Sequence, residues 1–287
     1  MLPNGRLLVT STNLYPIVSQ VLDFTTSAWT AVGGPAVAGG TSAMYLPWKI
    51  LKTGTSVDTD APTVPTANTA YVLDMTQASP VWRQVASMAN ARTYHLETIL
   101  PDGNVLVTGG GPTTAATDLA NGIRPAELWS PASETFTTLA SMNASRLYHS
   151  IALLMPDGRV LISGGGRAAD GAAPTDQLNC EFYWPPYLFK GPRPVIGSAP
   201  ATLTYNQTFS VQSADAGRIA KVSLMRLGAV THAQNMSQRF VPLSFTVSGS
   251  TLTVNAPVDS NLAPPGYYML FLVDGNGVPS VAAITRL

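Results

Sequence analysis

The sequence predicts an all-β protein, and three observations support this prediction. Gly and Pro are frequent, with 24 and 23 residues among 287, whereas charged residues make up only 11%. Such a composition is typical of many short strands separated by turns. A strand-turn-strand motif also recurs along the first two thirds of the chain. The length of the chain suits two domains of ordinary size.

The repeat is clearest in two segments that end in Tyr-His. Residues 87–95 read SMANARTYH, and residues 141–149, which lie 54 positions later, read SMNASRLYH. Each copy continues into a strand-turn-strand pattern, so that residues 100–110 match residues 155–165, and residues 2–10 resemble both. Asp-Gly and Asn-Gly between apolar stretches are strong signals for β-hairpins.

Aromatic residues follow the same period, because Trp29, Trp82 and Phe136 are 53 and 54 positions apart. A period of about 50 with paired glycines and a late aromatic residue is typical of a kelch-type β-propeller. The alternative is a β-meander with chance similarity. Only three to four units are present, whereas closed propellers usually have about four to eight blades. We therefore expect an incomplete propeller whose earlier blades are missing from this chain.

The repeat stops at a Pro-rich, aromatic segment, WPPYLFKGPRP. We predict a domain boundary there, with the partial propeller in residues 1–191 and a second domain in residues 192–287. Alternating apolar residues in the second domain predict short strands. The clearest of these segments are residues 208–211, 220–226, 251–254 and 267–273. About seven such strands in roughly 95 residues predict an immunoglobulin-like β-sandwich.

Composition also excludes several classes of partner. The 16 basic and 16 acidic residues balance, so no basic surface is available and nucleic acid is not an expected partner. No apolar run reaches the roughly 20 residues that cross a membrane, and the N-terminus lacks a signal-peptide pattern. Cys180 is the single cysteine, cannot form an internal disulfide, and is interpreted as a buried strand residue. The low charge favours an extracellular or cell-surface protein.

All three histidines occupy distinctive positions in the sequence. They are His95, His149 and His232. The first two follow Tyr94 and Tyr148 in the repeat, and equivalent positions of successive blades approach the same central axis. The third lies in a long polar stretch, residues 227–243, which is long enough to reach another domain. Imidazole and phenolate ligands without cysteine partners favour Cu(II) over structural zinc, magnesium or calcium.

Three segments resemble galactose oxidase and glyoxal oxidase in their order and spacing. They are residues 146–160 (RLYHSIALLMPDGRV), residues 231–239 (THAQNMSQR) and residues 264–282. The likeness covers nearly the whole chain and is strongest after about residue 85. It implies the C-terminal portion of a copper radical oxidase of this family, in which a seven-bladed propeller precedes an immunoglobulin-like early-set domain.

The resemblance also implies roles for individual residues. His232 matches the copper ligand that a loop of the sandwich carries along the propeller axis. Tyr148 and His149 match the axial tyrosine and the neighbouring copper histidine, and Tyr148 is expected to take the proton of the alcohol. His95 is expected to lie just outside this ligand set.

The sequence departs from the family in its radical site. The family's other copper tyrosine, which is joined to a cysteine by a thioether and carries the radical, has no match here, and Cys180 does not stand at the family's cysteine position. The loop at residues 111–121 also lacks a counterpart of the galactose pocket. We therefore expect this chain alone to be inactive as an oxidase and galactose not to be its substrate.

Three functional hypotheses remain open on the sequence. The first is part of a copper radical oxidase that, when complete, oxidises primary alcohols or aldehydes with O2 and releases H2O2. The second is a propeller and sandwich that bind a glycan or a cell-wall polymer without catalysis. The third is a truncated reading frame without independent function, because Met1 falls inside a blade repeat.

Overall fold

The computed structural model describes residues 1–10, 18–35, 40–55, 65–166 and 176–287. These residues contain 23 strands in seven sheets and no α-helix, so the predicted all-β class is confirmed. Three short 3-10 helices complete the regular structure: Leu119–Asn121, Pro186–Phe189 and Ala216–Arg218. No helix within the described ranges is long and apolar enough to span a membrane.

Four antiparallel sheets follow one another along the first two thirds of the chain as blades 1 to 4. Their strands are β1 (Leu7–Val9), β2 (Gln20–Asp23) and β3 (Ala28–Ala31); β4 (Thr41–Leu46), β5 (Lys49–Thr55), β6 (Ala67–Asp74) and β7 (Arg83–Val85); β8 (Thr93–Ile99), β9 (Val105–Gly111), β10 (Pro125–Ser130) and β11 (Thr135–Ser141); and β12 (Ser150–Leu154), β13 (Val160–Gly164) and β14 (Cys180–Tyr183). Within each blade, consecutive strands are neighbours. In the described part of the chain these blades do not close into a ring, which is the predicted incomplete propeller.

The remaining strands form a β-sandwich and a separate hairpin. One sheet has the order β15 (Thr208–Gln212), β21 (Thr251–Asn255) and β20 (Phe245–Ser248), and the other has the order β19 (Phe240–Leu243), β16 (Ile219–Arg226), β22 (Tyr267–Asp274) and β23 (Ala283–Arg286); the hairpin pairs β17 (Val230–Thr231) with β18 (Gln234–Asn235). Fully buried residues from both sheets, such as Val211, Leu224, Val254 and Leu270, share one core. The four strands expected in this region are present, with ends within a residue of the prediction.

The sandwich packs against the turn ends of the inner blade strands. Met225, Phe240 and Phe271 share a buried cluster with Leu51 and Trp129 of the blades. The Pro-Asp-Gly turn of blade 3 accepts hydrogen bonds from two side chains of β16, and the corresponding turn of blade 4 accepts one from the arginine of the GPRP segment. The Tyr-His segments at the opposite ends of β8 and β12 consequently lie away from this interface.

The last two repeats each bury an arginine, but the two arginines have different partners. Arg92 and Glu127 are both fully buried, and an Nη of Arg92 lies 2.6 Å from an Oε of Glu127. Arg92 also donates to the carbonyl oxygens of two residues in β9 and β10. The equivalent Arg146 lies 3.5 Å from Glu181, whose side chain keeps 15% of its surface exposed. A buried charge without its partner is costly, so the first pair is the more sensitive one.

We expect Arg92→Met to lower the free energy of unfolding by about 3–5 kcal/mol, because it leaves the Glu127 carboxylate buried without a partner. Arg146→Met is the matched control, and its loss should be clearly smaller because Glu181 can reach water. Urea unfolding of both variants, followed by tryptophan fluorescence, measures the difference. Equal losses would contradict this account of the two repeats.

Candidate metal centre

The β17–β18 hairpin leaves the sandwich and packs along the inner strands β4, β8 and β12 of three successive blades. The backbone carbonyl oxygen of Ala233, at the hairpin tip, accepts a hydrogen bond from the Thr41 hydroxyl at 3.4 Å. Ala233 is fully buried in a cluster with residues of blades 3 and 4. The long polar stretch at residues 227–243 therefore reaches the blades, as the sequence predicts.

The turn of this hairpin has an unusual backbone. His232 and Ala233 are the two residues between the strands, and their φ angles are 53° and 59°. Two-residue turns with positive φ at both positions favour Asn-Gly, because other residues are strained there. A non-glycine residue in a sparsely populated region costs about 1–3 kcal/mol and is found mainly at functional sites. The strained turn thus marks His232 as a candidate functional residue.

Three aromatic side chains converge at the hairpin tip. The ring centroids of His149 and His232 are 5.3 Å apart, with their planes at 70°. The ring of Tyr148 lies 3.9 Å from that of His149 and 5.6 Å from that of His232. Both histidines are exposed and Tyr148 is half-buried. The structure therefore brings together the three side chains that the sequence identified as candidate metal ligands.

The unpartnered atoms of these side chains fit a copper ion. Among the described residues, neither ring nitrogen of His149 has a hydrogen-bond partner, and the Tyr148 hydroxyl has none. His232 uses only Nδ1, which lies 2.6 Å from the Thr231 hydroxyl oxygen, so its Nε2 is available. Two imidazole nitrogens and one phenol oxygen suit Cu(II). Burial raises the pKa of the Tyr148 phenol, and a bound metal ion would act in the opposite direction.

A metal site made only of histidine, cysteine or carboxylate side chains is not present in the described ranges. No group of three or more such residues is arranged to hold an ion there. At the hairpin tip the two histidines are therefore joined by a phenol, Tyr148, and not by a third histidine, a cysteine or a carboxylate.

The position of His149 depends on a difference of one residue between the two repeats. Pro101 is the sixth residue after His95, whereas Pro156 is the seventh residue after His149. The turns that follow β8 and β12 have the same length, so the additional residue must be accommodated at the Tyr-His end of the fourth blade.

Strand pairing shows where the additional residue goes. His95 pairs with Gly109 in blade 3, and Ser150 pairs with the equivalent glycine in blade 4. His149 comes one residue earlier and has a φ of 65°, close to the 56° of Tyr94. His149 thus corresponds in the fold to Tyr94 and precedes β12. It faces the hairpin tip, whereas His95 is held inside its strand.

His95 occupies a separate, fully buried position between blades 2 and 3. Its Nε2 lies 2.8 Å from the Thr53 hydroxyl, which donates to an Oε of Glu97 at 2.6 Å. Because the hydroxyl has a single proton, which it gives to Glu97 in this arrangement, Nε2 of His95 is then the donor in the first bond. Burial, followed by the charge of Arg92, lowers the pKa of His95 to about 3. His95 is therefore neutral in the folded protein near pH 7.

Two further residues change the sequence-based picture. The Tyr94 ring lies 5.2 Å from the Tyr148 ring, and the Tyr94 hydroxyl donates to the carbonyl oxygen of Thr114. Tyr94 therefore packs behind the ring cluster, a role for which its place in the repeat was the only signal.

The interpretation of Cys180 as buried was wrong: it lies in β14 as expected but is exposed, because β14 is the outer strand of a three-stranded sheet.

Comparison with known proteins assigns both parts of the chain to described families. Residues 52–187 match a family model described as glyoxal oxidase N-terminus, and residues 193–287 match one described as galactose oxidase-like, early set domain. A solved fungal alcohol oxidase in complex with copper superposes on all of this chain and on 74% of its own, with a TM-score of 0.80 and 24% identity. This structural likeness shows the fold.

Two relatives with assigned names are similar in sequence. A galactose oxidase of Gibberella zeae is 36% identical over 203 residues, which are 69% of this chain and 29% of that protein. An aldehyde oxidase of Arabidopsis thaliana is 33% identical over 234 residues, which cover 73% of this chain and 38% of that protein. The chain thus spans only about a third of the length of these relatives.

The low pKa of His95 predicts a loss of stability in weak acid. The unfolded chain binds a proton at His95 below its ordinary pKa of about 6.5, but the folded protein does not until about pH 3. The free energy of unfolding should therefore fall by about 2 kcal/mol between pH 7 and pH 5 through this residue.

His95→Gln removes this contribution while keeping a donor for Thr53. Urea unfolding at pH 7 and pH 5 should show a weaker loss in the variant than in the unaltered chain. Glu97, whose pKa burial raises, is present in both proteins, so its opposite pH dependence cancels in the comparison. The same pH dependence in both would argue against a neutral, buried His95.

Proposed function

The chain belongs to the galactose oxidase- and glyoxal oxidase-like family of copper radical oxidases, and on this premise we propose that it forms the copper-binding C-terminal part of such an oxidase. The observation that carries the proposal is the convergence of Tyr148, His149 and His232 at the hairpin tip. Each of these side chains has a donor atom without a partner among the described residues.

In this proposal, His149 and His232 would hold Cu(II) through ring nitrogens, and Tyr148 would hold it through its phenol oxygen. Bound copper would supply one-electron chemistry with dioxygen. Tyr148 accepts the hydroxyl proton of a primary alcohol or of a hydrated aldehyde at its phenol oxygen. In the complete reaction the substrate loses two protons and two electrons, and O2 takes them up to become H2O2.

The proposal assigns the radical-bearing tyrosine and its cysteine partner to a part of the protein outside this sequence. Cys180 is the only cysteine, and its neighbour in the sheet is Ser163, which in turn pairs with Ile151. Two strand spacings of about 4.8 Å therefore separate Cys180 from β12, which begins two residues after Tyr148. An exposed cysteine on the outer strand of its blade is placed away from the ring cluster, which supports a chain that binds copper but does not by itself complete an oxidase site.

We propose the same division of the chain as the sequence suggested, with blades in residues 1–191 and an early-set sandwich in residues 192–287. The early-set match at residues 193–287 supports this boundary. An extracellular location fits the low content of charged residues, and a primary alcohol or aldehyde group is the substrate class that the proposed chemistry requires.

The proposal predicts how copper affinity depends on each histidine. His149→Ala and His232→Ala should each weaken Cu(II) binding about 10-fold or more, because each removes a nitrogen ligand. His95→Gln should have a much smaller effect, since His95 is buried apart from the cluster. Isothermal titration with Cu(II), with EPR spectra of the complexes, provides the measurement.

Either of two results would contradict the assignment. Equal losses from all three variants would show that the ring cluster is not the binding site. Absence of specific Cu(II) binding by the unaltered chain would favour the alternative of a glycan-binding module without catalysis.

Tyr148→Phe tests the phenol oxygen separately from the ring. The variant keeps the packing against His149 and Tyr94, so it should still bind Cu(II) through the two histidines. It should lose the visible absorption band that a copper-bound phenolate produces. An unchanged visible spectrum in Tyr148→Phe would exclude Tyr148 as a ligand, and Tyr94→Phe is the matched control.

A further inference from the structure

The inner strand of blade 3 has one edge with which no strand of the described residues pairs. β8 is the last strand in the order β11-β10-β9-β8, so its second edge faces the hairpin of the sandwich. On that edge the Ile99 amide donates to Oε1 of Gln238 at 3.0 Å, and Nε2 of Gln238 donates to the Glu97 carbonyl oxygen at 2.8 Å. A neighbouring strand would satisfy these two backbone groups in the same way.

Gln238 is tied to the hairpin that carries His232. The side-chain oxygen of Asn235, at the end of β18, accepts hydrogen bonds from the backbone amides of Ala229 and Gln238 at 3.1 and 3.2 Å. These bonds close the base of the hairpin. A displacement of Gln238 from β8 is therefore transmitted through Asn235 to the strands that hold His232.

The two ends of β8 explain why this contact matters for the ring cluster. Gln238 contacts residues at the sandwich end of β8, whereas Tyr94 and Tyr148 pack together at its other end. The strand has seven residues, so these ends are about 20 Å apart at 3.3 Å per residue. The hairpin tip is held separately by the hydrogen bond from Thr41 to the Ala233 carbonyl oxygen, so the Gln238 contact fixes the hairpin at a second point along the blades.

We propose that Gln238 is a positioning residue, whose carboxamide sets the place of His232 relative to Tyr148 and His149. A carboxamide is required, because the contact uses one donor and one acceptor on the same group. Glutamate keeps the length and the acceptor but has no donor for the Glu97 carbonyl oxygen. The role in copper binding rests on the proposed function, whereas the placement of the His232 ring does not.

The experiment compares Gln238→Glu and Gln238→Met with Gln207→Glu, which makes the same chemical change at an exposed residue of the sandwich. Two measurements are made without copper. Amide hydrogen exchange reports the Ile99 N–H, and the NMR signals of the three histidine rings report the surroundings of His232. The titration with Cu(II) follows on the same samples.

The Ile99 amide should exchange faster than in the unaltered chain in both Gln238 variants. The increase should be about 10-fold in Gln238→Met and smaller in Gln238→Glu, which keeps the acceptor. The His232 ring signal should shift, since it leaves the ring currents of Tyr148 and His149, while the signal of the buried His95 stays in place. The dissociation constant for Cu(II) should rise about 10-fold. Gln207→Glu should change none of these quantities.

The proposal is overturned if the Ile99 amide exchanges faster while the His232 signal is unchanged, because the contact would then fix the strand without placing the ring. It is equally overturned if Gln238→Met leaves the Ile99 exchange unchanged. Failure of the unaltered chain to bind Cu(II) would refute the proposed function alone, since the two copper-free measurements would still decide the role of Gln238.

Discussion

The uncovered edges of the inner blade strands are the constraint on which the candidate site depends. Backbone N–H and C=O groups that are withdrawn from water need partners, and an exposed strand edge invites pairing with another chain. In this protein the Gln238 side chain supplies partners to two backbone groups of β8, and the carbonyl oxygen of Ala233 in the β17–β18 hairpin accepts a hydrogen bond from the Thr41 hydroxyl of β4. The same contacts bring His232 to the end of the blades where Tyr148 and His149 stand.

Much of the fold could be predicted because its signals are local. Alternating apolar residues and Asp-Gly turns identified four of the seven strands of the sandwich to within a residue, and the 54-residue repeat identified the blades. The burial of Cys180 could not be predicted in this way, because it depends on whether a further strand covers β14. That information lies in the arrangement of strands and not in the residues around Cys180.

The site illustrates the same limit at finer scale. Tyr94-His95 aligns with Tyr148-His149 in the sequence. In the fold, however, His149 occupies the position equivalent to Tyr94, because the fourth blade has one more residue before its turn. Counting residues to the Pro-Asp-Gly turn would have revealed the difference. The turn at His232 had no such signal, since His-Ala is not a sequence that favours positive φ at both positions.

The strand order of the sandwich determines when the sheet that carries the hairpin can be completed during synthesis of the chain. The hairpin lies between β16 and β19, and the other neighbour of β16 is β22, which is made only after His232. While the ribosome is still translating the residues before β22, Tyr148 and His149 can already belong to a folded blade, and the hairpin of His232 has only its contacts with the blades to hold it. Pairing of β22 with β16, which completes the sheet from which the hairpin extends, is therefore a late event in biogenesis.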